Sequence, residues 1–285
     1  IQLVTGFNLI GYEYNNQWNR LTGFFNDEYI LGSYVSRILP IIIALFFQYK
    51  ILINNKFFIS LILILLSSII ILFSGERTAL LNLLIFFFLF IFLADISIKK
   101  IFIYFIVFVV FIFVFLGFNN DIKNRMVNFS LDQLFEGTSL NIFSVQHQLI
   151  YETAYKIYKD NKIIGIGPKN FREECKNINI KKGCSTHTHN IYIQLLSETG
   201  ILGFMPFVSM YSYLFIVFLK LSFKGLIISN LTRNELVKVV CLLAILLNFF
   251  PFLPHGNFFG SWLSILFYLP LGFYFHTFHS KIDSI

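Results

Sequence analysis

Apolar residues run almost unbroken through seven stretches of this chain: Ile30–Tyr49, Phe57–Phe73, Ala79–Leu93, Ile101–Phe118, Ile201–Leu219, Leu236–Leu253 and Phe258–Phe275. A bilayer-spanning helix needs roughly 17–25 such residues. Every stretch except Ala79–Leu93 has them, and that one must borrow flanking residues or tilt. One such run fits a buried helix of a soluble protein, but seven do not. The pattern predicts an all-α, polytopic membrane protein with about seven transmembrane helices and one large, partly helical outer loop. The chain divides accordingly into an outer segment, 1–29; helices 1–4, 30–118; the loop, 119–200; and helices 5–7 with a cytoplasmic tail, 201–285. Inside the loop, Ile142, Val145, Leu149, Thr153 and Ile157 keep helical spacing and predict an amphipathic helix over Ser139–Lys159.

Charge sets the orientation. Of 285 residues, 56% are hydrophobic and only 13% charged, whereas a soluble domain carries roughly a quarter charged. The segments Lys50–Lys56, Ala94–Lys100, Lys220–Lys238 and His276–Ile285 hold nine lysines and arginines, while Ser74–Thr78 and Pro254–Asn257 hold only Arg77. Basic loops stay inside, so the large loop, the Arg77 turn and the amino-terminal segment face outward, into a periplasm-like compartment beyond an inner membrane. The net charge of +7 largely reflects this bias and gives no reason to expect nucleic acid. Cys175 and Cys184 fall in the outer loop, where an oxidising compartment favours a disulfide. Cys241 lies within a span as a small apolar residue. The chain opens on Ile1 without a signal peptide, so earlier helices of a longer product are expected.

Chemistry concentrates where the loop meets the fifth span, at Ser185-Thr186-His187-Thr188-His189-Asn190. The imidazole of His189 can take a proton from an attacking hydroxyl near neutral pH; the plain alternative is a solvated loop histidine. His187 raises a metal site, but two histidines at this spacing lack a third nearby ligand. No metal and no cofactor are expected. Asn190, Gln194 and Ser197 share one helix face with Glu198 beside them, a polar stripe entering the bilayer before Gly200, Gly203 and Pro206 permit a kink. The turn Gly165-Ile166-Gly167-Pro168-Lys169-Asn170-Phe171 reads either as a structural turn or as a phosphate cradle; it lacks the third glycine of the latter.

Arginines supply candidate anion contacts. Arg77 sits in a very short outer turn, where its guanidinium can hold a phosphate or snorkel and pair with Glu76. Arg37 lies roughly 10 Å into its span, where an isolated arginine costs about 2.5–3.5 kcal/mol on insertion scales. It therefore faces either a pyrophosphate-binding cavity or an acid such as Asp27 or Glu28. Arg20, Arg125 and Arg172 are further outer-side guanidinium groups. The chain has no Asp-x-Asp pair, Walker loop or Gly-x-Ser-x-Gly elbow. Its spans hold almost no acids, which disfavours an ion-coupled transporter.

His189-Asn190, nine residues, Gly200, two residues and Gly203 together resemble the histidine motif of the bacterial O-antigen ligase and O-antigen polymerase superfamily. Arg20-Leu21-Thr22-Gly23-Phe24-Phe25-Asn26-Asp27, Ser74-Gly75-Glu76-Arg77-Thr78 and the glycine stretch from Gly165 agree with it in order, over about Arg20 to Phe275. The resemblance implies metal-independent glycosyl transfer at the periplasmic face. The donor it implies is a glycan on undecaprenyl diphosphate, and the acceptor lipid A–core, another lipid-linked repeat unit or a protein hydroxyl. His189 would activate the acceptor hydroxyl and Arg77 would bind the donor diphosphate. Arg37, Arg125, Arg172, Asn190 and Gln194 would contact substrate. One departure stands out: ligases usually carry another arginine about where this chain has Ser139-Leu140-Asn141, and Arg125 or Arg37 is the candidate replacement. Ligase is the reading preferred here. Polymerase, protein O-oligosaccharyltransferase, non-enzymatic lipid-linked glycan transporter and non-catalytic assembly partner are the alternatives.

Overall fold

A computed structural model of the chain describes residues 2–8, 10–13, 20–26, 28–48, 56–93, 97–118, 120–134, 143–228 and 231–279. Apart from an isolated bridge between Phe7 and Glu13, the regular elements among them are helices. The main ones are α1 (Leu31–Gln48), α2 (Lys56–Ser74), α3 (Arg77–Leu93), α4 (Ile98–Phe118), α5 (Val145–Asp160), α6 (Ile191–Phe223), α7 (Arg233–Asn248) and α8 (Ser261–His279). Four segments are long and apolar enough to cross a membrane: Leu31–Gln48, Lys56–Ser74, Lys99–Gly117 and Ile191–Ile227. The other three expected spans are helical as α3, α7 and α8, but do not meet that standard among the described residues. The expected run to Leu253 ends as helix at Asn248, because Pro251 disfavours helix in the residue before it.

The chain divides into two compact units. One comprises Ile1–Ser130, Lys220–Leu247 and Pro270–Ile285; the other comprises Leu131–Leu219 and Asn248–Leu269. In the first, α1 packs on α2 and α3, and α2 also packs on α3 and α4. Both ends of α1 are capped by side chains from distant segments. At its start the Glu76 carboxylate accepts from the main-chain N–H of Gly32 (2.6 Å) and Ser33 (3.0 Å) and from the Ser33 hydroxyl. At its end Arg233 donates from Nε to the carbonyl of Phe47 (2.6 Å) and from Nη2 to that of Gln48. Anion at the amino end and cation at the carboxyl end both suit the helix dipole, and both satisfy main-chain groups that a helix leaves open. Thr232 and Glu235 close a reciprocal capping box at the start of α7, and Glu235 is also ion-paired with Lys224.

In the second unit α5 starts at Val145, with Ser144 as its cap (3.3 Å to the His147 N–H). Its expected earlier start, and the stretch Ser139-Leu140-Asn141, lie outside the described residues. The buried face consists of Ile150, Thr153, Ala154 and Ile157; of the predicted row, Thr153 and Ile157 lie on it, Leu149 is half-buried, Val145 is exposed, and Ile142 lies outside the described residues. That face packs against Phe171 and Cys175, and Ile166, Ile178 and Ile193 close the cluster. Cys175 and Cys184 form the expected disulfide, with Cα atoms 5.1 Å apart.

α6 is broken at Gly200, whose φ of 61° and ψ of −164° are not helical. The turn at 162–167 crosses this break and serves both sides of it. Ile166 and Gly167 donate N–H bonds to the carbonyls of Ser197 (3.1 Å) and Glu198 (2.8 Å). Ile201 and Leu202 donate to the carbonyls of Lys162 (2.9 Å) and Ile163 (3.2 Å). A Cβ on Gly200 would lie 2.3 Å from the Ile163 oxygen, and one on Gly165 would lie 2.4 Å from the Glu198 carbonyl carbon. The two main chains touch where neither residue has a side chain. Gly200→Ala is expected to destabilise the protein by at least about 1–3 kcal/mol from backbone strain alone, since this conformation is essentially restricted to glycine. Thermal unfolding of the purified chain in detergent checks this; an unchanged midpoint would contradict it.

Candidate functional site

In the first unit the turn Ser74-Gly75-Glu76-Arg77 joins α2 to α3 and gathers arginines from three segments. Arg20 donates from Nε to the Ser74 carbonyl (2.6 Å), and its guanidinium lies 4.2 Å above the Tyr29 ring. Arg125 donates from Nε to the Gly75 carbonyl (3.0 Å). Gly75 has φ +67°, and a Cβ there would meet the Arg125 side chain at 2.7 Å, so only glycine admits this approach. Arg77 reaches Ser130 Oγ at 3.5 Å, while Glu76 caps α1. Burial, followed by the like charge of Arg125, draws the pKa of Arg20 down to about 10, with Glu76 and Tyr29 opposing. It is still cationic at neutral pH. Burial also pushes the Glu76 carboxyl up, against bonds from Ser33 and Gly32 that favour its charged form. Three guanidinium groups thus bear on one turn beside one carboxylate, an excess of positive charge suited to an anion.

Arg37 is 4% exposed on α1, donates from Nη1 to the Ser33 carbonyl (3.2 Å), and lies in the attractive field of Glu76. Of the acids expected beside it, Glu28 is exposed and Asp27 lies outside the described residues.

The histidine loop belongs to the second unit. His189 adopts a left-handed φ of 56°, uncommon for a residue with a side chain. Its carbonyl accepts the His255 N–H (2.8 Å), while His187 Nε2 bonds to the His255 carbonyl (3.2 Å). The His189 ring is half-buried, with Nε2 3.2 Å from Ser185 Oγ, and its centroid lies 4.1 Å from that of His187 and 5.2 Å from that of His147. It is not a solvated loop histidine. Burial first, then the fields of His187 and His147, bring its pKa down to about 3; burial also lowers that of His187. Among the described residues no group of three histidine, cysteine or acidic side chains is arranged to hold a metal ion.

Asn190 caps α6, its Oδ1 accepting from the N–H of Tyr192 (3.0 Å) and Ile193 (3.2 Å) and its Nδ2 donating to the Pro251 carbonyl (3.0 Å). Gln194, 1% exposed, donates to Glu198 (2.9 Å) and Asn257 (2.8 Å) and accepts from the Phe258 N–H (3.0 Å). Glu198 in turn accepts the Phe171 N–H at 3.0 Å. The polar stripe expected on α6 is therefore real, and it ties together the histidine loop, the loop at 249–259 and the disulfide-bridged region. Arg172 is exposed next to the disulfide. The glycine turn does not offer a phosphate cradle at Ile166 and Gly167, since those N–H groups are engaged at the α6 break. A cavity of about 460 Å³ lies beside Pro168 and Lys169, walled chiefly by Phe249, Phe258, Phe267 and Tyr268.

The structure brings Arg20, Arg77 and Arg125 to one turn, and His189 together with His187, His147 and His255. His147 and His255 were missed in the sequence; a histidine in the four-residue segment Pro254–Asn257 between apolar runs was the available signal.

These features define an all-helical membrane protein with two polar centres, one rich in guanidinium and one in imidazole. A family model described as O-antigen ligase matches residues 62–208, just over half of the chain, and the chain belongs to that family. The match spans Arg77, Arg125, Arg172, His189, Asn190 and Gln194 but not Arg37. Membership carries glycosyltransferase-like activity on lipid-linked glycans, with ligases and polymerases alike. No curated protein matches the chain.

The depressed His189 pKa has a definite sign. As pH falls below about 6.5 the unfolded chain binds this proton and the folded chain does not. The stability contributed by the neutral ring is thus complete above that pH and is lost as pH falls towards 3. Nitrogen-15 shifts of labelled histidines should show His189 still neutral at pH 5; a midpoint near 6.5 would contradict the burial described.

Proposed function

We propose that this protein transfers undecaprenyl-diphosphate-linked O-antigen polysaccharide onto lipid A–core at the periplasmic face of the inner membrane, as an O-antigen ligase. The observation that carries the proposal is the half-buried imidazole of His189, packed against His187 and His147 inside the family's matched segment. The acceptor hydroxyl oxygen attacks the anomeric carbon of the donor while its proton passes to the His189 ring. The bond from that carbon to the diphosphate oxygen breaks, and the electron pair leaves with the diphosphate. Arg77 holds that group, with Arg125 as the second contact in place of the arginine absent near Ser139. Fixed guanidinium groups stabilise the charge that develops as it departs. Arg172, exposed on the outer loop, contacts the glycan.

Asn190 and Gln194 contribute by holding the histidine loop, since their polar atoms are already bonded within the protein; Arg37 acts through Ser33 and Glu76. An imidazole of pKa about 3 is neutral but weakly basic, and an arriving dianionic donor raises its basicity. The disulfide between Cys175 and Cys184 and the basic bias of the opposite loops support the periplasmic orientation. The four long apolar helices, together with α3, α7 and α8, support seven spans.

His189→Ala and Arg77→Ala are expected to abolish surface polysaccharide at unchanged membrane abundance, Arg77→Ala slowing transfer on the order of 10²–10³. Gel analysis of surface glycolipid in a strain lacking the native copy checks this. Bare core with accumulated lipid-linked polymer supports the ligase; core carrying a single repeat makes the protein a polymerase. Polysaccharide retained by both variants overturns the roles given to these residues.

A further inference from the structure

The turn at 162–167 carries a second feature beyond its bonds to the α6 break. Two of its three isoleucines point outward, Ile163 being 64% exposed and Ile164 71%, while Ile166 packs against the cluster around Phe171. Outward-facing β-branched apolar side chains at adjacent positions of a tight turn gain nothing from water. Their surroundings say what covers them. The Ile163 carbonyl accepts the Leu202 N–H at 3.2 Å, and the Lys162 carbonyl accepts the Ile201 N–H at 2.9 Å. The turn is thereby fixed to the first residues after the break. Those residues open the apolar half of α6, within the candidate membrane span Ile191–Ile227, and there Leu202 is 62% and Met205 52% exposed. Exposed apolar side chains on a spanning helix face lipid, and Ile163 and Ile164 extend the same surface onto the outer loop. Exposed Lys162 and Lys169 flank them, placed for their ammonium groups to lie at headgroup level above buried stems.

We propose that Ile163 and Ile164 form a membrane-inserted anchor that seats the outer loop in the lipid interface. The ligand of this surface is the bilayer itself, and the anchor is independent of whether the protein transfers a glycan. Main-chain atoms of the turn can sit at that depth because several are already bonded to α6, which is the condition for irregular backbone near hydrocarbon.

The test uses the full chain in vesicles of phosphatidylethanolamine and phosphatidylglycerol. Ile163→Cys, Ile164→Cys and Lys181→Cys are each made singly and labelled with a nitroxide. Cys175 and Cys184 are bridged and Cys241 is buried, so the added thiol is the one that reacts. Power saturation compares molecular oxygen, which concentrates in lipid, with a water-soluble nickel chelate. The oxygen-to-nickel accessibility ratio at 163 and 164 is expected to exceed that at 181 several-fold. Ratios equal to that at 181 would overturn the proposal. Spin–spin broadening that disappears when labelled protein is diluted with unlabelled protein would also overturn it, by placing a second copy of the chain on this surface.

Discussion

The outer loop depends on a break in a helix. A spanning helix interrupted at Gly200 leaves carbonyls on one side and N–H groups on the other, and near a bilayer no water is at hand to satisfy them. The turn at 162–167 supplies both kinds of partner within six residues, two donors and two acceptors. This arrangement works only because Gly165 and Gly200 let two main chains touch. It also gives the loop its position, for the same turn leads directly to Phe171 in the hydrophobic cluster and on to the disulfide. Before the break, Gln194 and Glu198 bond to Asn257, Phe258 and Phe171. The histidine loop is therefore held from two directions, by α6 below it and by the segment at 249–257 beside it.

The first unit shows a related economy of charge. Glu76 is next to Arg77 in sequence, and pairing between them was one of the two readings, beside a phosphate contact. The carboxylate instead caps α1 forty-odd residues away in the chain, where it accepts from the N–H groups of Gly32 and Ser33 and from the Ser33 hydroxyl. Arg77 is left to reach a serine hydroxyl, while Arg20 and Arg125 hold the carbonyls of the same turn. The positive excess there is a consequence of how α1 is capped.

Much of this was legible in the sequence, and the illegible part has physical causes. Apolar run length revealed an all-helical membrane protein because the bilayer imposes that length on each span. Compartment reasoning found the disulfide, and the spacing of His189, Gly200 and Gly203 found the family. The buried face of α5 was read correctly at Thr153 and Ile157 but not at Val145, which sits exposed at the helix start. Arg20, Arg125 and Arg172 could not be ranked, since only folding shows that two of them meet the Ser74–Arg77 turn and the third is exposed beside the disulfide. Asn190 and Gln194 were visible as polar residues on a helix, but whether such atoms face a ligand or a neighbouring loop is settled by tertiary contacts alone. The glycine turn was ambiguous for the same reason: free amides would have made it a cradle, and at Ile166 and Gly167 they are engaged.

Burial resists positive charge on His189, and the two imidazoles packed at 4.1 and 5.2 Å from its ring add to that resistance. A resting ring that holds no proton is open to receive one, yet it pulls weakly on a hydroxyl. Such a centre is quiet by default, and negative charge brought by a substrate is what would strengthen it. On the proposed function this has a chemical merit: a base that gains strength only with a diphosphate donor present is slow to activate stray water or an acceptor arriving alone. On that reading, the burial and crowding that depress the pKa would also set the order in which the substrates become reactive.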